Sequence, residues 1–294
     1  MEHRWLKRRA WILGLAVALL LPLGLGRAEG AAYDPQVLKV ALLPDENAAK
    51  VIQDNEGLRA YLEKRLSRKI ELYVLTSYAA MIEATRNGRI DLAFFGPLSY
   101  CMARDKAAIE PFAAKVKDGA TTYRSVIIAN GASGIQKPED IRGKRMAYGD
   151  QASTSSHLIP KGLLAQRGVK PGDYQESFLG KHDAVALNVM RGNVDAGGLS
   201  QVIFNGLVEK GTIDGSRVKV VAESDPIPEY PWVMRSDLAA ALKESIRNAF
   251  YEIRDPAILK PLKADGFAPI RDSDYDVIRQ AAKILGLDLG ALEK

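Results

Sequence analysis

From Val37 onward, short apolar runs alternate with stretches at helical spacing, the order expected of an α/β protein with mainly parallel sheets flanked by helices. Positions 38–43 read as a first strand. Across 48–66, Val51, Leu58, Leu62 and Leu66 fall on one stripe with charges opposite, which predicts an amphipathic helix. A strand is expected at 70–74. Ser77 can cap a helix that Asn87-Gly88 ends, 91–95 reads as a buried strand running into Gly96-Pro97, and 123–129 reads as another.

After Asn130-Gly131 the pattern starts afresh. A strand at 145–148 turns at Gly149-Asp150 into a Ser/Thr run and a helix, and strand, loop and helix recur around Phe178, 184–191 and 194–196. Pro226, Pro228 and Pro231 suit an extended crossover and oppose a helix. Helices are expected at 238–254, 257–263 and 274–285. The chain is therefore expected to form two lobes, 29–129 with 226–294 as the first and 130–225 as the second, joined by crossovers that can hinge near 129–131 and 224–231. Nothing repeats at a short period, which argues against a solenoid.

The N-terminus alters the charge reading. The 294 residues hold 41 Lys+Arg against 36 Asp+Glu, but residues 1–28 contribute five of the bases (Arg4, Lys7, Arg8, Arg9, Arg27) and one acid, Glu2. The remainder carries 36 against 35, a net charge of +1, with no electrostatic footprint for nucleic acid. The excess forms a charged n-region, 10–26 is apolar, and Gly26-Arg27-Ala28 offers small residues for cleavage. Residues 1–28 are read as a secretory signal peptide cut after Ala28, directing the protein to the periplasm. A membrane anchor is the competing reading, but the apolar stretch is shorter than the ~20 residues a span needs, and Pro22 interrupts it. Lys7-Arg8-Arg9-Ala10-Trp11 is loosely similar to a twin-arginine signal, and the export route stays open. Cys101, the only cysteine, permits no disulfide within the chain, and a monomer without cofactor is expected.

The segment Gly149-Asp150-Gln151-Ala152-Ser153-Thr154-Ser155-Ser156-His157 lies between a predicted strand and a predicted helix. Four hydroxyls beside unpaired backbone N–H groups and a helix start make an anion site that needs no metal. Ordinary capping, which needs one hydroxyl, is the alternative. Beyond residue 28 the histidines are His157, in this loop, and His182, ahead of another helix; open α/β sheets bind ligands at such carboxyl ends of strands. The first lobe offers two more such ends, Thr76-Ser77-Tyr78 and Phe94-Phe95-Gly96-Pro97-Leu98-Ser99-Tyr100. Gly96 lets backbone approach a ligand, Ser99 can cap the next helix, and Tyr78 and Tyr100 offer phenolic donors. Core packing is the competing reading for both tyrosines.

These residues resemble the phosphate/phosphite/phosphonate-binding proteins of bacterial ABC importers, within the type II periplasmic solute-binding fold. The resemblance covers essentially the whole chain after the signal peptide. It rests on Thr76-Ser77-Tyr78, Phe95 to Tyr100, Lys137 to Gly149, Ser153-Thr154-Ser155 with Pro160, and His182 before Asp195. It implies a ligand in the cleft between the lobes, held by Ser153, Thr154, Ser155, Tyr78 and His182 and closed by the Phe95-Gly96 turn. The positions where relatives that take aminoalkyl phosphonates carry acids are Val202 and Tyr230 here, which implies a small ligand without an amine, such as phosphite, methylphosphonate or phosphate, delivered to an ABC permease. Cys101 is a second departure. Arsenite-sensing periplasmic proteins resemble this family, and a thiolate suits trivalent arsenic, so an arsenite sensor signalling to a membrane histidine kinase is the alternative. A small buried apolar residue is the other reading of Cys101.

A hydrolase would pair Cys101 or Ser155 with His157 or His182. The sequence has no Gly-x-Ser-x-Gly elbow, no His-Glu-x-x-His helix and no cysteine cluster, so a binding protein and not an enzyme is expected. Aromatic residues make up 7% of the chain, which adds nothing in favour of a membrane or nucleic-acid role.

Overall fold

The computed structural model describes residues 32–290; the expected signal peptide lies outside them. Thirteen strands are present among these residues. β1 (Val37–Leu42), β2 (Lys69–Val74), β3 (Leu92–Phe94) and β4 (Ile109–Val116) precede the short β5 (Thr122–Tyr123). β6 (Ser125–Asn130), β7 (Arg145–Tyr148), β8 (Gln175–Phe178), β9 (Ala196–Ser200) and β10 (Val218–Glu223) occupy the middle of the chain. β11 (Ile227–Pro228), β12 (Pro231–Arg235) and β13 (Gly266–Pro269) follow. The helices are α1 (Ala48–Leu66), α2 (Tyr78–Arg86), α3 (Pro97–Lys106), α4 (Ile159–Gln166), α5 (His182–Arg191), α6 (Gln201–Glu209), α7 (Ala240–Tyr251), α8 (Pro256–Leu259) and α9 (Asp276–Ile284).

Two sheets carry the fold, a six-stranded one in the order β13-β4-β12-β3-β1-β2 and a five-stranded one in the order β10-β6-β9-β7-β8. In the first, β1 to β4 run one way and β12 and β13 the other. In the second, only β6 opposes the rest. Most strands of each sheet thus point the same way, as expected, with antiparallel strands where the chain crosses between sheets. β1 is apolar along most of its length because helices cover both its faces: Leu38 and Leu42 are fully buried and pack with α1 and α7 residues, while Ala41 faces the opposite cluster. α1 forms over the expected residues, its start capped by the Asn47 side chain accepting from the Lys50 N–H.

Four expectations change. The strand expected at 123–129 splits at Arg124: β5 pairs with β11, whereas β6 lies inside the second sheet between β9 and β10. The passage between sheets therefore falls at 122–125 and not at 129–131, where an apolar run continuing past Arg124 hides it. β4 was not expected because Pro111 demotes a run to edge or loop. The strand tolerates it at a bulge, where consecutive β12 residues Trp232 and Val233 face Ala113 and Pro111 and Phe112 of β4 is the extra residue. The helix expected at 257–263 stops at Leu259, and Gly266–Pro269 forms an edge strand, where a proline costs no ladder bond. The last helix begins at Asp276, after a separate 3₁₀ turn at Asp272–Tyr275.

Candidate functional site

The Ser/Thr run opens as a π-helical turn, Thr154–Leu158, whose Leu158 N–H reaches back to the Ser153 carbonyl at 3.1 Å before α4 continues. Two features account for the wide turn. Pro160 has no N–H to give a normal helical bond, and the Ser156 carbonyl is already taken by the Gly149 N–H at 3.2 Å. The turn rests on β9 at Gly198, where an added Cβ would come within 2.4 Å of Pro160 Cγ.

The four hydroxyls have separate fates. Ser153 caps the turn, accepting from the Ser156 N–H at 3.1 Å. Thr154 Oγ1 accepts from the Leu98 N–H at 2.8 Å, in the first turn of α3 across the cleft. Ser156 is structural: its Oγ accepts from the Gly149 N–H at 2.8 Å and donates to the Gly198 carbonyl. Ser155 Oγ is fully buried without a partner.

Ser155 shares that state with the Tyr78 and Tyr123 hydroxyls, both buried and without partners. Ser153 neighbours the Tyr78 hydroxyl, and Ser155, Thr154 and Tyr230 neighbour that of Tyr123, yet none completes a hydrogen bond to either. Burial pushes both phenols above the ordinary tyrosine range, helped by Asp45 and Asp150 at Tyr78 and by Glu229 at Tyr123. They therefore stay protonated, as donors. His182 completes the group. Its Nδ1 accepts from the Ser200 N–H at 3.0 Å, which leaves the proton on Nε2, directed at Ser153 Oγ 3.4 Å away. Burial alone lowers its pKa to about 3, so the ring is neutral. Orphaned buried donors carry a desolvation cost that a bound acceptor would remove. The first-turn N–H groups of Thr154 and Ser155, which have no helical acceptor, add to the donor set.

Other expected residues lie apart. His157 is turned into the second lobe, with Nδ1 2.7 Å from the Gln151 carbonyl and its ring edge-on to Tyr148 and Phe178; burial lowers its pKa to about 4. Tyr100 donates to Asp272, and Ser99 Oγ donates to the Gly96 carbonyl at 3.0 Å instead of capping α3. Cys101 packs with Tyr275 and Ile278 in the core, its Sγ 3.9 Å from the Tyr275 carbonyl, and burial pushes the thiol up to about 12. The thiol is not among the residues that border the cavity described below. Gly96 does meet the cluster: a Cβ there would stand 3.9 Å from Thr154 Oγ1. Phe95 is buried in the same core as Tyr78 and Tyr123, but Phe94 is the residue that borders the cavity.

That cavity, about 370 Å³, extends from Tyr123, Tyr230 and Ser200 and is bordered by Phe94, Trp232 and Val202. Val202 and Tyr230 carry no acid at this cavity, but the carboxylates Asp45, Glu46 and Glu229, which the sequence reading did not place there, also border it. Glu46 lies 3.4 Å from Lys50 and Glu229 3.7 Å from Lys115. Asp45 follows β1 in a loop, where spacing alone gave it no role. Tyr123 had a signal, a tyrosine at the break between two runs, but reads equally as the first residue of a strand. Among the described residues no cluster of three His, Cys, Asp or Glu is placed to hold a metal ion.

Residues of both sheets meet here, as Leu98 N–H on Thr154 Oγ1 and His182 N–H on the Asp45 carbonyl at 2.9 Å illustrate. Two α/β lobes with a donor-lined cleft between them define a type II solute-binding protein. Residues 40–275 match the family of periplasmic substrate-binding proteins of phosphonate ABC transporters, and the chain belongs to that family. It is 31% identical over 231 residues to the phosphonates-binding periplasmic protein of Escherichia coli K12, covering 75% of this chain and 68% of that one. It is 28% identical over 281 residues to the phosphate-import protein PhnD of Mycolicibacterium smegmatis, covering 86% and 87%. Its fold is that of PhnD1 of Prochlorococcus marinus, solved with methylphosphonate, at a TM-score of 0.81 and 23% identity over 87% of this chain and 100% of that one. The family is one of transport proteins that bind a solute.

Proposed function

We propose that the protein captures a small phosphorus oxyanion, namely phosphite, methylphosphonate or phosphate, in the cleft and delivers it to an ABC permease. The observation that carries this is the convergence of three buried, partnerless hydroxyls, Tyr78, Tyr123 and Ser155, with Ser153, Thr154 and the His182 Nε2–H. All are neutral donors, so an oxyanion finds hydrogen bonds without a rigid counter-charge, an arrangement that suits binding followed by release. The names of the relatives from Escherichia coli and Mycolicibacterium smegmatis and the methylphosphonate bound in the Prochlorococcus protein support the ligand class. The protein acts as a monomer in the periplasm, exported by the segment at 1–28, and performs no catalysis. Among the described residues the lobes are 32–124 with 226–290, and 125–225, and they close by a hinge in the β5–β11 ribbon.

Calorimetric titration with the three ligands tests the reading. Binding of at least one, with the ligand recovered unchanged and the melting temperature rising with its concentration, is expected. No heat and no shift with any of them would overturn it.

A further inference from the structure

Within that reading of the site, we propose that Asp45 is a specificity-determining residue that selects an oxyanion still carrying a proton, accepting a hydrogen bond from the ligand's P–OH group. Its place in the fold supports this. The loop after β1 is pinned across the cleft by the His182 N–H on the Asp45 carbonyl at 2.9 Å. The side chain borders the cavity, and its charge is felt by the Tyr78 and Tyr230 phenols. Asp45 therefore borders the open space together with Tyr123, one of the partnerless hydroxyls. Among the described residues no other residue donates a hydrogen bond to its carboxyl, whereas Glu46 and Glu229 lie beside Lys50 and Lys115.

An acceptor beside a set of donors has a specific consequence. Ser155, Tyr78, Tyr123 and the His182 Nε2–H serve the bare oxygens of the ligand, but a fully ionised group offers Asp45 nothing except like charge. A phosphonate or phosphate monoanion presents one O–H to it. A sulfonate has the same shape and charge but no proton, so its third oxygen meets a carboxylate whenever Asp45 is ionised. The groups facing Asp45 are Glu46 on its own loop, Lys115 of β4, Lys263 between α8 and β13, Tyr78 of α2, Tyr230 ahead of β12 and neutral His182 of α5. Burial and Glu46 raise its pKa to about 7, against the opposing effect of the two lysines. Those lysines also disfavour a ligand ammonium at the same place.

The test measures methylphosphonate and methanesulfonate affinities by calorimetry from pH 5.5 to 8.5, for the parent protein, Asp45→Asn and Asp45→Ala. The parent should prefer methylphosphonate by at least tenfold at pH 7 and weaken on it as pH rises. In Asp45→Asn, whose amide donates, the preference should fall at least fivefold and the pH dependence should flatten. Asp45→Ala should lose the preference too, which covers the case in which the amide variant folds poorly. Unchanged selectivity and pH profile in variants that bind methylphosphonate would overturn the role of Asp45 alone. Tighter binding of aminoethylphosphonate than of methylphosphonate by the parent, abolished in both variants, would overturn it in favour of an ammonium partner. No binding of any phosphorus ligand by the parent would overturn the function and this role together.

Discussion

Ser155 and Ser156 are adjacent in one turn, yet of the two hydroxyls only that of Ser156 bonds within the chain, to Gly149 and Gly198. Their alanine variants should therefore diverge. Ser155→Ala removes a hydrogen bond to a charged ligand, worth ~1.5–3 kcal/mol, or roughly a 10- to 150-fold loss of affinity, at no cost to the unliganded fold. Ser156→Ala removes the bonds from the Gly149 N–H and to the Gly198 carbonyl, leaving the Gly149 N–H only its 3.2 Å bond to the Ser156 carbonyl, and should lower unliganded stability by about 1–3 kcal/mol. Urea denaturation and calorimetry of both variants check this, and equal effects on stability would refute the division. The hydroxyl run was legible from Ser/Thr composition at a helix start, but which hydroxyl faces the ligand was not. That depends on Gly198 and Thr154's partner Leu98, 42 residues from Ser156 and 56 from Thr154 along the chain. His157 and Cys101 misled for a related reason: a rare residue beside a loop signals chemistry by type, while its direction is decided by packing against Phe178 or Tyr275.

At the scale of elements, the π-helical turn depends on a close approach between Pro160 and β9. Gly198→Ala would drive a methyl to 2.4 Å from a proline ring that cannot rotate away, so the turn holding Ser153 to Ser156 must shift. A loss of about 1–3 kcal/mol in stability is expected from overpacking, together with weaker oxyanion binding. Gly266→Ala, on the edge strand β13 where a Cβ meets nothing within 4 Å, should change neither. Thermal melts and titration of the pair decide it; a Gly198→Ala variant with parental stability would show that the contact can relax. Elements with strong periodicity, such as α1, were legible to within a residue or so. β4 and β13 were not, because Pro111 and Pro269 signal interruption locally, while the bulge and the sheet edge that accept them are properties of the assembled sheet.

For the whole molecule, buried neutral histidines link stability to pH. His182 and His157 have pKa values lowered by burial from 6.5 to about 3 and about 4. Above pH 6.5 both states of each histidine are neutral and nothing is lost. As pH falls, the unfolded chain takes up protons that the fold refuses, so stability drops by up to ~1.4 kcal/mol per pH unit for each histidine until the folded pKa is reached. Urea midpoints between pH 7 and 4 should fall, and should fall less steeply in His182→Gln; identical slopes in the two proteins would contradict the assignment.

The two chain crossings are hydrogen-bonded to each other through β5 and β11 and through the Ser125 N–H on Ser224 Oγ at 3.0 Å. We propose that this ribbon bends as one hinge while the sheets on either side stay rigid. The most direct test of an oxyanion held between the lobes is small-angle scattering of the parent and Ser155→Ala across a methylphosphonate titration. The radius of gyration should decrease as the parent saturates, and the same decrease in Ser155→Ala should require at least tenfold more ligand. Identical compaction curves for the two proteins, or saturation of the parent without compaction, would contradict the account.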